Sequence, residues 1–314
     1  MSTDTELLEV FDARAQRREE RRDFFRALGL AAAAGAGLTA AGHIGQAQAQ
    51  AAPTDGDVLN FALNLEYLEA QFYSFAAFGV GLNPTLLTGT GTPGLATGGR
   101  QVAFTDPVVA QHAREIAADE IAHVTFLRDA IGATRVAQPA IDISPTGAFS
   151  AAARAAGLIS GAQVFDPYSS DENFLLGAYI FEDVGVTAYK GASPLITSKV
   201  FLEAAAGILA VEAYHAALIR TVLDFKGIAT PALIDATEAI SNARDGLDGA
   251  TDLDQGIRPI GNMSNIAPLD GNGLAFSRSP GQVLNIAYLN RAATDRGGFF
   301  PAGVNGSVRT SAAN

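Results

Sequence analysis

Cysteine is absent from all 314 residues, which excludes thiol nucleophiles, iron–sulfur clusters and thiolate zinc sites. Positive charge is scarce: 21 Lys and Arg stand against 33 Asp and Glu, a formal net charge of -12. Beyond the first thirty residues the basic residues never cluster, so the Lys/Arg footprint needed to grip nucleic-acid phosphates is missing and no nucleic-acid partner is expected. Past the N-terminal region no segment reads as a membrane span of ~20 apolar residues. Histidine occurs only four times. What is plentiful is apolar surface, with 48% hydrophobic and 17% charged residues, much of it Ala and Leu. That composition suits a sizeable core of packed helices. Any metal must be held by carboxylate and imidazole.

Residues 1–51 read as an address rather than as part of the fold. Arg21 and Arg22 stand in Glu20-Arg21-Arg22-Asp23-Phe24-Phe25-Arg26, followed by a weakly apolar run from Ala27 to Ala41. The alternation Ala47-Gln48-Ala49-Gln50-Ala51 then offers A-x-A cleavage sites. This resembles a twin-arginine export signal, with Glu20 where Ser or Thr is commoner. The resemblance implies the twin-arginine export machinery as a partner, a periplasmic or extracellular destination, and a chain exported already folded. The remaining chain stays acidic.

Prolines and glycines punctuate the rest. Asp106-Pro107, Ser193-Pro194, Thr230-Pro231 and Ser279-Pro280 each set a capping residue before a proline at the first helical position. Gly79, Gly132, Gly191 and Gly227 sit where helices would stop. The expected helices cover Asp55–Phe78, Asp106–Ile131, Glu172–Lys190 and Pro194–Phe225. Gly79 to Phe104 reads as a loop. A crossover of about 40 residues, with a short helix near Phe149–Leu158, separates the second helix from the third and is long enough to return one helix pair beside the other. The expected fold is all-α: a four-helix bundle over 52–228 and a C-terminal extension over 229–314 with short helices.

His112, His123 and His215 are the histidines past residue 51. Two close Glu-x-x-His pairs, Glu120-Ile-Ala-His123 and Glu212-Ala-Tyr-His215. At this spacing both side chains share a helix face and can meet one ion. Upstream of each pair, Glu66 and Glu182 stand in largely apolar stretches. Tyr73 follows Glu66, and Tyr189 follows Glu182, by seven residues; Arg128 follows Glu120, and Arg220 follows Glu212, by eight. The chain therefore reads as a duplicated helix pair, Glu on the first helix and Glu-x-x-His on the second, which is the ferritin-like di-metal pattern. Four buried carboxylates repel one another, and two divalent cations would cancel their charge. The expected ligands are Glu66, Glu120, His123, Glu182, Glu212 and His215, and the expected cofactor is two divalent transition-metal ions, iron or manganese. Asp119 can orient a ligand histidine, with only Val211 at the matching position. Tyr73 and Tyr189 read as core tyrosines, as hydrogen-bond partners of the site or as radical-quenching phenols. Glu69 reads as an extra ligand or a solvated residue, and His112 as structural or exposed.

These segments, NFALNLEYLEAQFY from Asn60, FTDPVVAQHAREIAADEIAHVTFLR from Phe104, NFLLGAYIFEDVGVTAYKGASPLI from Asn173, AAAGILAVEAYHAALIRT from Ala204 and GGFFPAGVNG from Gly297, resemble the ferritin-like domain family that includes desiccation-associated plant proteins and exported bacterial relatives. The resemblance implies the same six metal ligands. The long loop and the extension argue against a hollow storage cage and resemble elaborations of manganese-catalase-like relatives. Two functions follow as expectations: a di-metal oxidoreductase, catalase-like or ferroxidase-like, acting on peroxide or dioxygen in stress defence; or a non-catalytic desiccation-protection or metal-sequestering protein. Catalytic residues are not assigned by this reading, and a homo-oligomer is left open.

Overall fold

The computed structural model describes residues 52–314; the expected signal over 1–51 lies outside them. Seven α-helices occur in the described residues: α1 (Asp55–Phe78), α2 (Pro107–Ile131), α3 (Ser150–Ala155), α4 (Asp171–Ala192), α5 (Lys199–Ala229), α6 (Ala232–Asp248) and α7 (Pro280–Ala287). Residues 53–268 and 275–314 form one compact unit. Leu269–Leu274 belong to a second unit; within them the Asp270 carboxylate accepts from the Leu274 N–H at 2.9 Å.

In the bundle α1 pairs mainly with α2, and α4 with α5. α1 opens with a capping box between Thr54 and Asp57 and ends at Gly79, whose φ of 76° is left-handed. Asp106 caps α2, Ser170 caps α4 and Ser198 caps α5. The first residues of α1 and α4 each hold the start of a helix in the opposite pair. The Asp55 carboxylate accepts the Thr197 and Ser198 N–H groups before α5, at 2.7 and 2.9 Å. The Asp171 carboxylate accepts the Thr105 and Asp106 N–H groups before α2, at 3.1 and 3.0 Å. The internal duplication therefore reaches the helix ends.

The fourth bundle helix begins later than its proline suggests. Ser193–Leu195 form a single 3-10 turn, Ile196 is extended, and α5 starts at Lys199. Ser193 does not cap: its hydroxyl donates back to the Tyr189 carbonyl at 2.7 Å. Asp55 meanwhile claims the N–H groups at 197 and 198, which sets the start of α5. Gly191 and Gly227 stop nothing. Each lies inside its helix at a close approach, Gly191 against the Arg278 backbone and Gly227 against Ile234. Thr230 ends α5 but offers no side-chain cap to α6. The loop expected from Gly79 to Phe104 contains a 3-10 turn (Pro84–Leu86) and β1 (Ala96–Thr97), which pairs in parallel with β2 (Ile141–Asp142) of the crossover.

The expected boundary at 228/229 falls in the last turn of α5, and the extension shares the bundle's core. Buried Arg220, Arg244 and Arg278 pair with buried Asp183, Asp248 and Asp254. Three positive and three negative charges compensate one another there, as burial of ionised groups demands. Arg220 also donates to the carbonyls of Gln255, Gly256, Asn265 and Ile266, while its repeat counterpart Arg128 donates to the Thr85 and Thr88 carbonyls. Both arginines thus pin a segment that lies outside the bundle helices. The 31-residue α5 has the length and hydropathy to cross a membrane, yet it delivers Glu212, His215 and Arg220 to the buried interior.

Candidate metal centre

The six expected residues come together from four helices: Glu66 on α1, Glu120 and His123 on α2, Glu182 on α4, and Glu212 and His215 on α5. All six are buried. They form two groups, Glu66/Glu120/His123/Glu212 and Glu120/Glu182/His215, in each of which the donor atoms lie within 4.8 Å of one another. His123 Nδ1 is 3.2 Å from Glu66 Oε2, 3.5 Å from Glu120 Oε2 and 3.8 Å from Glu212 Oε1. His215 Nδ1 is 3.1 Å from Glu120 Oε1 and 3.7 Å from Glu182 Oε2. Glu120 therefore turns one oxygen to each group. Glu212 joins the group of His123 rather than that of its own helix neighbour His215, a grouping the i,i+3 spacing does not reveal. Its carboxylate occupies the space beside Gly185, where any side chain would collide with it.

Eight atoms of these residues are buried with no hydrogen-bond partner among the described residues: Glu66 Oε2, both oxygens of Glu120 and of Glu212, Glu182 Oε2, and Nδ1 of both histidines. The close approaches between them lack hydrogen-bond directionality. Buried polar atoms are rarely left so, and here they face one another. The two remaining carboxylate oxygens are satisfied by phenols: Tyr73 donates to Glu182 Oε1 and Tyr189 to Glu66 Oε1. The outer nitrogen of His215, Nε2, lies 3.1 Å from Asp119 Oδ2. A proton on Nε2 leaves Nδ1 as the lone-pair donor, the usual carboxylate–histidine arrangement around a metal. Four carboxylates and two imidazoles, with donor atoms unsatisfied, fit the binding of metal cations.

Without cations the centre must hold protons. Burial and the Glu120 charge push Glu66 up to about 7, and burial is the main cause that pushes Glu182 up to about 8. Glu212 is raised well above the carboxylate range by burial and by Glu69, Glu120 and Glu66. In His123 burial is outweighed by Glu120 and Glu66, and the imidazole rises to about 11; in His215 it is outweighed by Glu182 and Glu120, and the value is about 9. Glu120 alone moves down, to about 2, because the two imidazoles outweigh its burial. It is the counter-ion of both histidines.

Three residues prove closer to the centre than their spacing establishes. Tyr73 and Tyr189 are hydrogen-bonded to the candidate ligands rather than being only core packing. Glu69 is buried, not solvated, and burial together with Glu120, Glu182 and Glu66 raises it well above the usual carboxylate range. Its position one turn from Glu66 was the available signal. His112 is half-buried and belongs to neither group.

The ferritin-like domain model matches residues 54–224, which include all six residues. The chain is 32% identical over 271 residues to a desiccation-related protein of Craterostigma plantagineum, covering 81% of this chain and 83% of that one. It is 29% identical over 277 residues to a ferritin-like catalase of Nesocodon mauritianus, covering 81% and 84%. No solved structure matches it significantly. Family match, helical bundle and buried carboxylate–histidine groups agree: the chain belongs to the ferritin-like domain family.

Proposed function

We propose that this protein is an exported di-metal oxidoreductase that disproportionates hydrogen peroxide, with Glu66, Glu120, His123, Glu182, Glu212 and His215 as ligands of two iron or manganese ions. The observation that carries the reading is the set of eight unsatisfied donor atoms facing one another in a closed interior. When bound, the ions supply the electron pair that reduces one peroxide to two waters and is recovered by oxidising a second to dioxygen, so that two H2O2 yield two H2O and one O2. The chain supplies the rest. Glu120, with one oxygen toward each histidine, would serve as a ligand to the ions, Tyr73 and Tyr189 hold Glu182 and Glu66 in orientation, and Asp119 sets the tautomer of His215. Glu69 is a further carboxyl beside the centre, raised well above the usual carboxylate range by burial and by Glu120, Glu182 and Glu66. The catalase relative supports this choice among reactions of ferritin-like proteins.

Export through the twin-arginine machinery to the periplasm or beyond is part of the proposal and rests on Arg21, Arg22 and the A-x-A sites. The desiccation-related relative supports a second reading, non-catalytic stress protection or metal sequestration at the same centre. Metal analysis of the purified protein followed by oxygen-electrode measurement separates them. Near-stoichiometric oxygen evolution from peroxide by protein carrying two ions per chain is the expected result. Two ions without peroxide consumption favours the second reading, and a folded protein with no affinity for iron or manganese overturns both.

A further inference from the structure

A small, partly enclosed chamber lies between the α1/α4 face of the bundle and the C-terminal extension. Its inner side is formed by Glu69, Gly185 and Tyr189, and its outer side includes Val283 and Ala287 of α7 and Phe299 of the tail. Apart from Glu69 and Tyr189, every residue lining it is aliphatic or phenylalanine, or is the glycine. The inner residues border the metal centre. Tyr189 is bonded to Glu66, and Gly185 leaves only its backbone between the chamber and the Glu212 carboxylate. The Tyr189 hydroxyl is therefore engaged, whereas Glu69 finds no hydrogen-bond partner among the described residues. The cavity volume is about 30 Å³, enough for one or two molecules the size of water.

From this geometry we infer that the chamber is the route and holding site through which a small uncharged oxygen species, hydrogen peroxide first of all, reaches the centre, and that Glu69 positions it by hydrogen bonding at the inner end. The inference rests on the peroxide reading above. An apolar lining excludes ions, because moving a charge out of water into it is costly. The size excludes organic hydroperoxides. The repeat itself marks the place. At the position matching Glu69 the second helix pair has Gly185, so this extra carboxylate comes from α1 alone, and it lies alongside the glycine that makes room for Glu212. The outer wall exists only because the extension folds back: Phe299 packs edge-on against Phe149 and Phe181, with ring centroids 5.3 and 5.0 Å apart. The extension thereby acquires a role in substrate selection.

The test fills the chamber from its outer wall, away from the candidate ligands. Parent, Ala287→Phe and Val283→Ala proteins are loaded with metal, their metal content is measured, and oxidation of the reduced centre by hydrogen peroxide and by cumene hydroperoxide is followed by stopped-flow absorbance. Crystals pressurised with krypton show independently whether the chamber accepts an apolar probe. In the parent, hydrogen peroxide should react and cumene hydroperoxide should not, and krypton should occupy the chamber. Ala287→Phe should keep its metal, lose the krypton, and react with hydrogen peroxide more slowly, on the order of tenfold for a blocked entry route. Val283→Ala should begin to admit the larger hydroperoxide, and it carries the test alone if the filled variant does not fold. Glu69→Leu should keep krypton binding and metal content yet slow the reaction with peroxide. A loaded parent that no peroxide oxidises overturns the peroxide reading and this route with it. A parent whose rate is unchanged by filling or enlarging the chamber overturns the route alone.

Discussion

The phenol of Tyr73, on α1, donates its hydrogen bond to Glu182 on α4, in the opposite half of the duplicated bundle. Tyr189 on α4 returns the relationship to Glu66 on α1. Each half thus positions the other half's carboxylate. Asp55 and Asp171 repeat this crosswise logic at the helix ends.

Removing one of these phenols should loosen the centre without unfolding the bundle. Tyr73→Phe leaves Glu182 Oε1 buried without a donor, at a cost of about 1–3 kcal/mol. Metal affinity should fall by roughly tenfold or more, as loss of a ligand's supporting hydrogen bond usually does. Competition with a chelator and thermal unfolding would measure both effects. An unchanged affinity would show that the phenol is packing alone.

Two glutamates of the centre should respond oppositely to neutralisation in metal-free protein. Glu212→Gln removes a carboxyl that burial and its neighbours already disfavour in charged form, so metal-free stability should rise by about 1–3 kcal/mol. Glu120→Gln removes the counter-ion of both imidazoles, and stability should drop by roughly 3–5 kcal/mol, the range for a broken buried pair. Thermal scans in chelator at pH 7 decide it. Shifts of the same sign would mean that the two carboxylates share one environment.

The pH dependence follows from protons held in the folded state. Glu66 and Glu182, raised to about 7 and 8, and His215 and His123, raised to about 9 and 11, bind more protons folded than unfolded. Stability of metal-free protein should therefore be greatest near the unfolded values and decline as pH rises, mainly between about 5 and 9. Glu120, lowered to about 2, has the opposite sign, but its contribution is complete above its unfolded value and does not change in this window. Metal affinity should climb over the same range, because binding displaces those protons. Metal-free Tm values that rise from pH 5 to 9 would contradict the proton-filled centre.

Export is tested in the cell. Changing Arg21 and Arg22 together to Lys should leave unprocessed protein in the cytoplasm. Normal processing of that variant would point to a different route or to none.

The sequence by itself determined the duplicated helix pairs and the crossover, and it singled out six residues that the fold brings together, because helical periodicity and i,i+3 spacing are local properties that survive without knowledge of neighbours. Caps at Asp106 and Ser279 were legible for the same reason: the side chain and the N–H it accepts lie within three residues. Only the tertiary structure decided which carboxylate turns toward both groups, that Glu212 joins His123, and that Tyr73 and Tyr189 act across the duplication. It also turned Gly191 and Gly227 from expected helix stops into contact points, and moved the start of α5 to Lys199 through Asp55, whose partners lie more than 140 residues away. Glu69 shows the division most clearly. Its spacing placed it one turn from Glu66, but burial is set by what packs against it, and that wall is built from α4 and from the returning C-terminal segment. Periodicity states which face of a helix a residue occupies; the chain segment that covers that face is a long-range contact no local pattern encodes.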